Sequence, residues 1–187
     1  PRLLRLAGDS TNPARADAIH LAADTLSLVA LDARGNAYFV IAGRLLVLTP
    51  GDSIMQRVHG LPGAHALAAA VRPDGWVYVV IENRVWELPP IGDTRPMVSD
   101  TAAFEFVSAV ATADSARVCI SDYLGRRVHL YQGDKGVTRD VRWPWYPTSV
   151  AAGPDGACYV LERRFQYGGI SGALNWAADL LGTPRVR

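Results

Sequence analysis

The sequence predicts an all-β chain built as a β-propeller, with blades of about 40 residues and about four of them present. Three series of matched segments predict it. Gly-Asp recurs as Gly8-Asp9, Gly51-Asp52, Gly92-Asp93 and Gly133-Asp134, at steps of 43, 41 and 41 residues. An Arg and an apolar-rich strand precede each pair: Arg2-Leu3-Leu4, Arg44-Leu45-Leu46, Arg84-Val85-Trp86 and Arg127-Val128-His129. Upstream again, a turn signal leads into another strand, read as Ala33-Arg34-Gly35-Asn36-Ala37-Tyr38, Pro73-Asp74-Gly75-Trp76-Val77-Tyr78, Ala113-Asp114-Ser115-Ala116-Arg117-Val118-Cys119 and Pro154-Asp155-Gly156-Ala157-Cys158-Tyr159.

Each unit opens on a small apolar strand: Ser27 to Leu31, Leu67 to Val71, Val107 to Ala111, and Ser149 to Ala152. An Asp-Gly-like turn, a second strand, a short loop, a third strand and the Gly-Asp turn follow. Glycine supplies the positive φ of such turns and Asp side chains accept from turn amides. Short alternating apolar runs at this density fit strands and not helices. The chain begins and ends inside a unit. Residues 2–8 match a third strand, and residues 148–165 supply two strands without a third. Joined, these halves close a four-bladed ring, with Arg2 to Leu6 beside Ala157 to Leu161; closure removes exposed edges. The rival arrangement is a fragment of a six-bladed ring. Residues 1–165 are expected to be blades and 166–187 a tail, in which Leu174, Ala177, Ala178 and Leu181 fall at the spacing of a short helix.

Composition narrows the partners. The 187 residues carry 19 basic and 18 acidic groups, a net charge of +1, which argues against nucleic acid or an anionic membrane as a general partner. A protein or a small polar ligand is the partner class that remains. No apolar stretch of about 18 residues is present, so no membrane-spanning helix is expected. The opening Pro1-Arg2-Leu3-Leu4-Arg5 shows no apolar core of the length expected of a signal peptide. That says little of compartment, and a periplasmic or extracellular setting stays open. Cys119 and Cys158 lie in alternating apolar runs and are read as buried thiols in neighbouring blades.

The cadence Val29-Ala30-Leu31-Asp32, Gly35-Asn36-Ala37-Tyr38, echoed over Pro147 to Tyr159, resembles the NHL repeat and its six-bladed TolB-like relatives. The opening Leu6-Ala7-Gly8-Asp9, followed by Pro13, Ala16 and Ala18, is similar to the loop that enters such a blade. The resemblance spans residues 1–165 and implies propeller architecture; propellers host binding modules and enzymes alike.

In a propeller the start of each first strand and the end of each second strand share one face. Glu82, Asp122 and Glu162 stand at second-strand ends, 40 residues apart, with Ala42 in the first unit. His65, Glu105 and Tyr146 stand at first-strand entries, at steps of 40 and 41. Carboxylates gathered there would suit a hard cation such as Ca²⁺. The competing reading makes each acid an acceptor for the following turn and for an Arg, with Arg84, Arg127, Arg163 and Arg164 at hand. The loop Arg142-Trp143-Pro144-Trp145-Tyr146-Pro147 joins the same face. Its Trp143, Trp145 and Tyr146 are candidates to stack on a ligand, or to pack between blades. His20, His59, His65 and His129 share no spacing, so no His-based zinc site is indicated. Leu161-Glu162-Arg163-Arg164-Phe165 with Gly168-Gly169 resembles a stretch of esterase-like phytase-family propellers, which implies Glu162 and Arg163 as catalytic candidates with Ca²⁺. A gluconolactonase-like site would need an acid, an Asn and an Asp round the channel, and a partial set is visible. Two functions therefore stand side by side. One is a non-catalytic binding module without a cofactor; the other is a metal-dependent hydrolase of phytase-like or gluconolactonase-like type.

Overall fold

The computed structural model of the chain describes residues 2–9, 12–20, 27–41, 43–49, 54–57, 60–63, 65–97, 104–112, 117–133, 135–164 and 185–186. Every regular element among them is a strand. Strands β1 (Arg2–Asp9) and β2 (Asn12–His20) form a hairpin. The first four-stranded sheet holds β3 (Ser27–Leu31), β4 (Ala37–Ile41), β5 (Arg44–Leu48) and β6 (Ile54–Arg57). The second holds β7 (Ala68–Val71), β8 (Val77–Ile81), β9 (Arg84–Leu88) and β10 (Arg95–Pro96). The third holds β11 (Val107–Thr112), β12 (Arg117–Asp122), β13 (Arg127–Gln132) and β14 (Lys135–Asp140). A fourth holds β15 (Trp145–Ala152), β16 (Cys158–Arg164) and β17 (Arg185–Val186). Each is an antiparallel meander in chain order.

The apolar runs of the second strands explain how the sheets stack. A strand covered on both faces reads as a continuous apolar run. All five residues of β8 are buried. Val77, Val79 and Ile81 pack with Val40, Leu45 and Val47 of the first sheet. The alternate residues Tyr78 and Val80 pack with Val107, Val118 and Ile120 of the third. The pattern repeats one sheet on, where Cys119 meets Val150 and Val160 of the fourth. The innermost strands follow one another, β3 against β7, β7 against β11 and β11 against β15.

The turns explain the repeat. Gly35, Gly75 and Gly156 hold φ of 79°, 88° and 77° between the first and second strands of their sheets, where an L side chain is strained. Gly92 and Gly133 hold φ of 114° and 57° between the third and fourth strands of the second and third sheets. The first strands carry bulges at Leu28/Ala30, Val107/Ala109 and Pro147/Ser149. Two of the bulged positions, Ser108 and Thr148, are hydroxyl residues, and their Oγ groups donate to the carbonyls of Ser121 (3.4 Å) and Leu161 (3.1 Å).

Two expectations are corrected. Arg2 to Leu6 pairs with residues 16–20 of β2, and β16 takes Val186 and Arg185 as partners of Leu161 and Glu162, so the closing pair expected between the chain ends is not formed. The local hairpin wins because its strands are joined by two residues, at a far smaller loop-closure cost. The cysteines do sit on neighbouring sheets, but they are paired as a disulfide, Cα atoms 6.1 Å apart, and are not two separate thiols. The register that faces Cys119 toward β16 brings them together. The helix expected over 171–181 lies outside the described residues.

Candidate functional site at the first-strand entries

Second-strand ends and first-strand entries meet at one end of the sheets, as the meander requires. Asp122, the last residue of β12, is 1% exposed. Its carboxylate accepts from the amides of Glu105 (3.2 Å), Phe106 (2.8 Å) and Gly125 (3.2 Å). One acid thus ties the strand entry to the following turn. A Cβ on Gly125 would fall against that carboxylate, so the turn closes over the acid only with glycine there.

The same end is linked from sheet to sheet. Asn83, in the turn after β8, donates from Nδ2 to the Glu105 carbonyl at 3.2 Å. Forty residues on, Tyr123 packs against Tyr146, ring centroids 5.1 Å apart and ring planes tilted by 36°. In each case the turn after a second strand touches the entry of the next sheet. Phe106 lies edge-on to Tyr123 at 6.3 Å. Phe106, Tyr123 and Tyr146 therefore form an aromatic strip, flanked by the exposed Leu124. Trp143 is 64% exposed on the adjoining loop, after which the Trp143–Pro144 peptide is cis. Trp145 is half-buried at the start of β15, its amide donating to the Arg142 carbonyl.

The acids expected to act together take three different settings. Glu82 sits exposed in a two-residue turn with Asn83, at φ of 50° and 60°. Asp122 is consumed by backbone amides. Glu162 is 3% exposed and lines a pocket of about 490 Å³ between the third and fourth sheets, with Val128, Leu130, Arg139, Cys158 and Val160. Among the described residues no group of three or more His, Cys, Asp or Glu side chains is placed to hold a metal ion, so these three do not form the expected cluster. His65 and Glu105 are exposed at their entries, and Arg163 is exposed at the end of β16. No helix among the described residues is long and apolar enough to cross a membrane.

Sequence reasoning missed Phe106, Tyr123 and Leu124. Their signal was faint: Tyr123 occupies the repeat position of Asn83, and only the turn geometry turns it toward Tyr146. His129 of β13 is a packing residue. It is buried, its Nδ1 is 2.9 Å from Thr138 Oγ1, and its ring lies edge-on to Phe104 at 5.1 Å. Burial holds its pKa below the ordinary histidine value. At the opposite end of the sheets, Asp32 accepts from the amides of Arg34 and Asn36, from Asn36 Nδ2 and from the Tyr38 hydroxyl. Burial acts to raise that acid, yet these bonds together hold it below the usual carboxylate range. Its partners make it a structural turn and not a reactive group.

Meandering antiparallel sheets stacked through their first strands are shared with solved structures. The chain is similar to virginiamycin B lyase from Staphylococcus aureus, with a TM-score of 0.64 at 12% identity over 93% of this chain and 59% of that one. It is similar to a streptogramin B lyase, with a TM-score of 0.64 at 10% identity over 92% of this chain and 58% of that one. It is also similar to regucalcin from Agrobacterium tumefaciens, a calcium-binding protein, with a TM-score of 0.56 at 14% identity over 87% of this chain and 59% of that one. These neighbours are β-propellers. The chain has a β-propeller fold. Its sheets are blades, and the site lies where the first strands of the blades begin. The likeness is one of fold, and the chain spans about three-fifths of the length of these neighbours. No protein-family profile and no curated protein matches the chain in sequence. The propeller architecture that the repeats predict is met; the solved neighbours named here are lyases and regucalcin and not NHL or TolB-like proteins.

Proposed function

We propose that this end of the blades is a small-ligand mouth and that the propeller acts on its ligand there as an enzyme. The observation that carries the reading is the strip Phe106–Tyr123–Tyr146, which crosses a blade boundary beside the exposed Glu105. Adjoining rings give apolar contact area at low entropic cost, and a neighbouring carboxylate gives a base or acid within the same surface. Lyase names among structures of the same fold support the enzymatic reading over the plain binding module. The regucalcin name adds Ca²⁺ as a cofactor to be tested.

In this reading Tyr146, Trp143 and Trp145 hold the ligand, and His65 and Glu105 are the groups free to move protons. Asp122 positions the Glu105 entry and is not a reacting group. Arg163 and Glu162 stay candidates of the phytase-like alternative, with Glu162 set apart by its burial.

The experiment is a turnover and binding screen with streptogramin B and sugar lactones, each with Ca²⁺ and with a chelator. Tyr146→Ala is expected to weaken binding by about tenfold or more, the scale of one lost ring contact. Glu105→Gln is expected to abolish turnover while binding persists. Binding without turnover in the unsubstituted protein would return the function to a binding module. Full turnover in both Glu105→Gln and His65→Ala would overturn the roles assigned here.

A further inference from the structure

We infer that Cys158 is a thiol-exchange site, modified by small monothiols that enter the pocket between the third and fourth blades. The bond they open is the Cys119–Cys158 disulfide that joins those blades. This chemistry is independent of the ligand mouth and of whether the mouth belongs to an enzyme.

The two sulfurs have unequal surroundings. Cys119, within β12, is 1% exposed and clusters with Val150 and Val160. Cys158, the first residue of β16, is half-buried and lines the pocket of about 490 Å³. Cys119 is not among the residues that line it. A thiolate attacks a disulfide in line with the bond that breaks, from the far side of the attacked sulfur. An incoming sulfur therefore finds space at Cys158 and not at Cys119. The pocket has the volume of a small-ligand site, more than a small thiol needs. It reaches the surface at β14, where Val137 is 49% exposed and Arg139 is exposed. Val128 and Leu130 give the carbon body of the thiol an apolar wall.

The exchange conserves atoms and electrons without any other oxidant or reductant. The incoming thiol gives up its proton, its sulfur bonds Cys158 Sγ, and the Sγ–Sγ bond breaks with its electron pair going to Cys119. Cys119 takes a proton and stays in its apolar cluster as a neutral thiol beside the mixed disulfide. Attack by Cys119 in the reverse direction expels the small thiol and restores the bridge, so Cys158 carries the adduct and Cys119 resolves it. Other ties between the blades outlast the bond. Ser108 Oγ lies 3.2 Å from the Pro147 carbonyl, and Arg117 Nη1 donates to the Gly156 carbonyl at 3.4 Å. Val150 and Val160 pack with Ala109 and Ala111 across the same seam. An opened disulfide thus leaves the seam docked, with Cys119 within reach of Cys158.

The test treats the whole oxidised chain with 2-mercaptoethanol under native conditions, blocks free thiols with N-ethylmaleimide and maps the mercaptoethanol adduct by peptide mass. The adduct is expected on Cys158 over Cys119 by about tenfold or more, and on both about equally when urea opens the chain first. Three results in the native protein would each overturn the site: adducts shared equally, adducts mainly on Cys119, or a bridge that resists the thiol while the urea-treated chain yields. Single-cysteine variants measure the same asymmetry without the bridge. With 2-hydroxyethyl disulfide as the probe, Cys158 in Cys119→Ala is expected to react about tenfold or more faster than Cys119 in Cys158→Ala; equal rates would contradict the unequal access. Val137→Trp, at the exposed rim, is expected to fill the entrance and slow the Cys158 reaction by about tenfold at an unchanged melting temperature. An undiminished rate there would overturn the pocket as the route. The mapping on the unsubstituted chain decides the site should a variant fail to fold.

Discussion

Replacing Asp122 tests whether the most buried acid of the site holds the fold or a ligand. In Asp122→Ala three amides lose a charged acceptor. Each hydrogen bond to a charged group is worth about 1.5–3 kcal/mol. Glu105 and Phe106 are themselves exposed, so water reaches their amides and recovers much of that loss. The net cost is then about 3 kcal/mol. For a chain of this length that lowers the melting temperature by about 6–12 °C. Asp122→Asn keeps one acceptor oxygen but presents an NH₂ to an amide donor, so about half the loss should return. Urea unfolding at neutral pH, read by tryptophan fluorescence with and without Ca²⁺, measures both variants. Gly125→Ala should cost a similar amount, because the new Cβ would stand 2.8 Å from the Asp122 Cγ. A loss under about 1 kcal/mol for Asp122→Ala would refute the anchoring role. So would a Ca²⁺-induced stabilisation that disappears in the variant, which would move Asp122 to a cation.

Two further outcomes follow from the same blade. His129 binds a proton less readily folded than unfolded, so stability is full above the ordinary histidine value and falls as the pH drops below about 6.5; His129→Gln should flatten that slope in urea melts from about pH 7.5 to about pH 5, and an unchanged slope would assign it to other groups. The disulfide joins residues 39 apart in sequence, so reduction or Cys119→Ala should cost about 2–4 kcal/mol, and identical melting with and without reductant would show that the two blades are not covalently joined.

The periodic part of the fold was legible because it is written in backbone chemistry. Positive-φ glycines sit at reversals of the chain such as Gly35, Gly75, Gly92, Gly133 and Gly156, and β8 reads as an unbroken apolar run because neighbours cover both of its faces. The site was only half legible. Glu82, Asp122 and Glu162 keep a 40-residue spacing, yet spacing counts residues and not positions. Two residues separate β8 from β9, whereas four separate β12 from β13, so the same count lands Glu82 in a turn and Asp122 inside the protein. His65 and Glu105 stand just before their first strands and Tyr146 within the start of its own, because the first strands keep their order. Tyr123 and Phe106 had no periodic signature; a single ring in a turn acquires meaning only from what the next blade sets beside it. The disulfide escaped for a like reason, since a separation of one blade does not reveal which face each cysteine takes.

All six residues of β14 are exposed, and Lys135, Arg139 and Asp140 break its run. An outermost strand carrying charge offers a poor template to a stray chain. It also gives the experimenter a handle. Blade three ends in a strand whose side chains support little of the core, at the rim and away from the central strands. A fluorophore or a surface-attachment tag placed on the exposed Lys135 would leave Thr138 on His129 and the Tyr131 ring against Gly136 undisturbed.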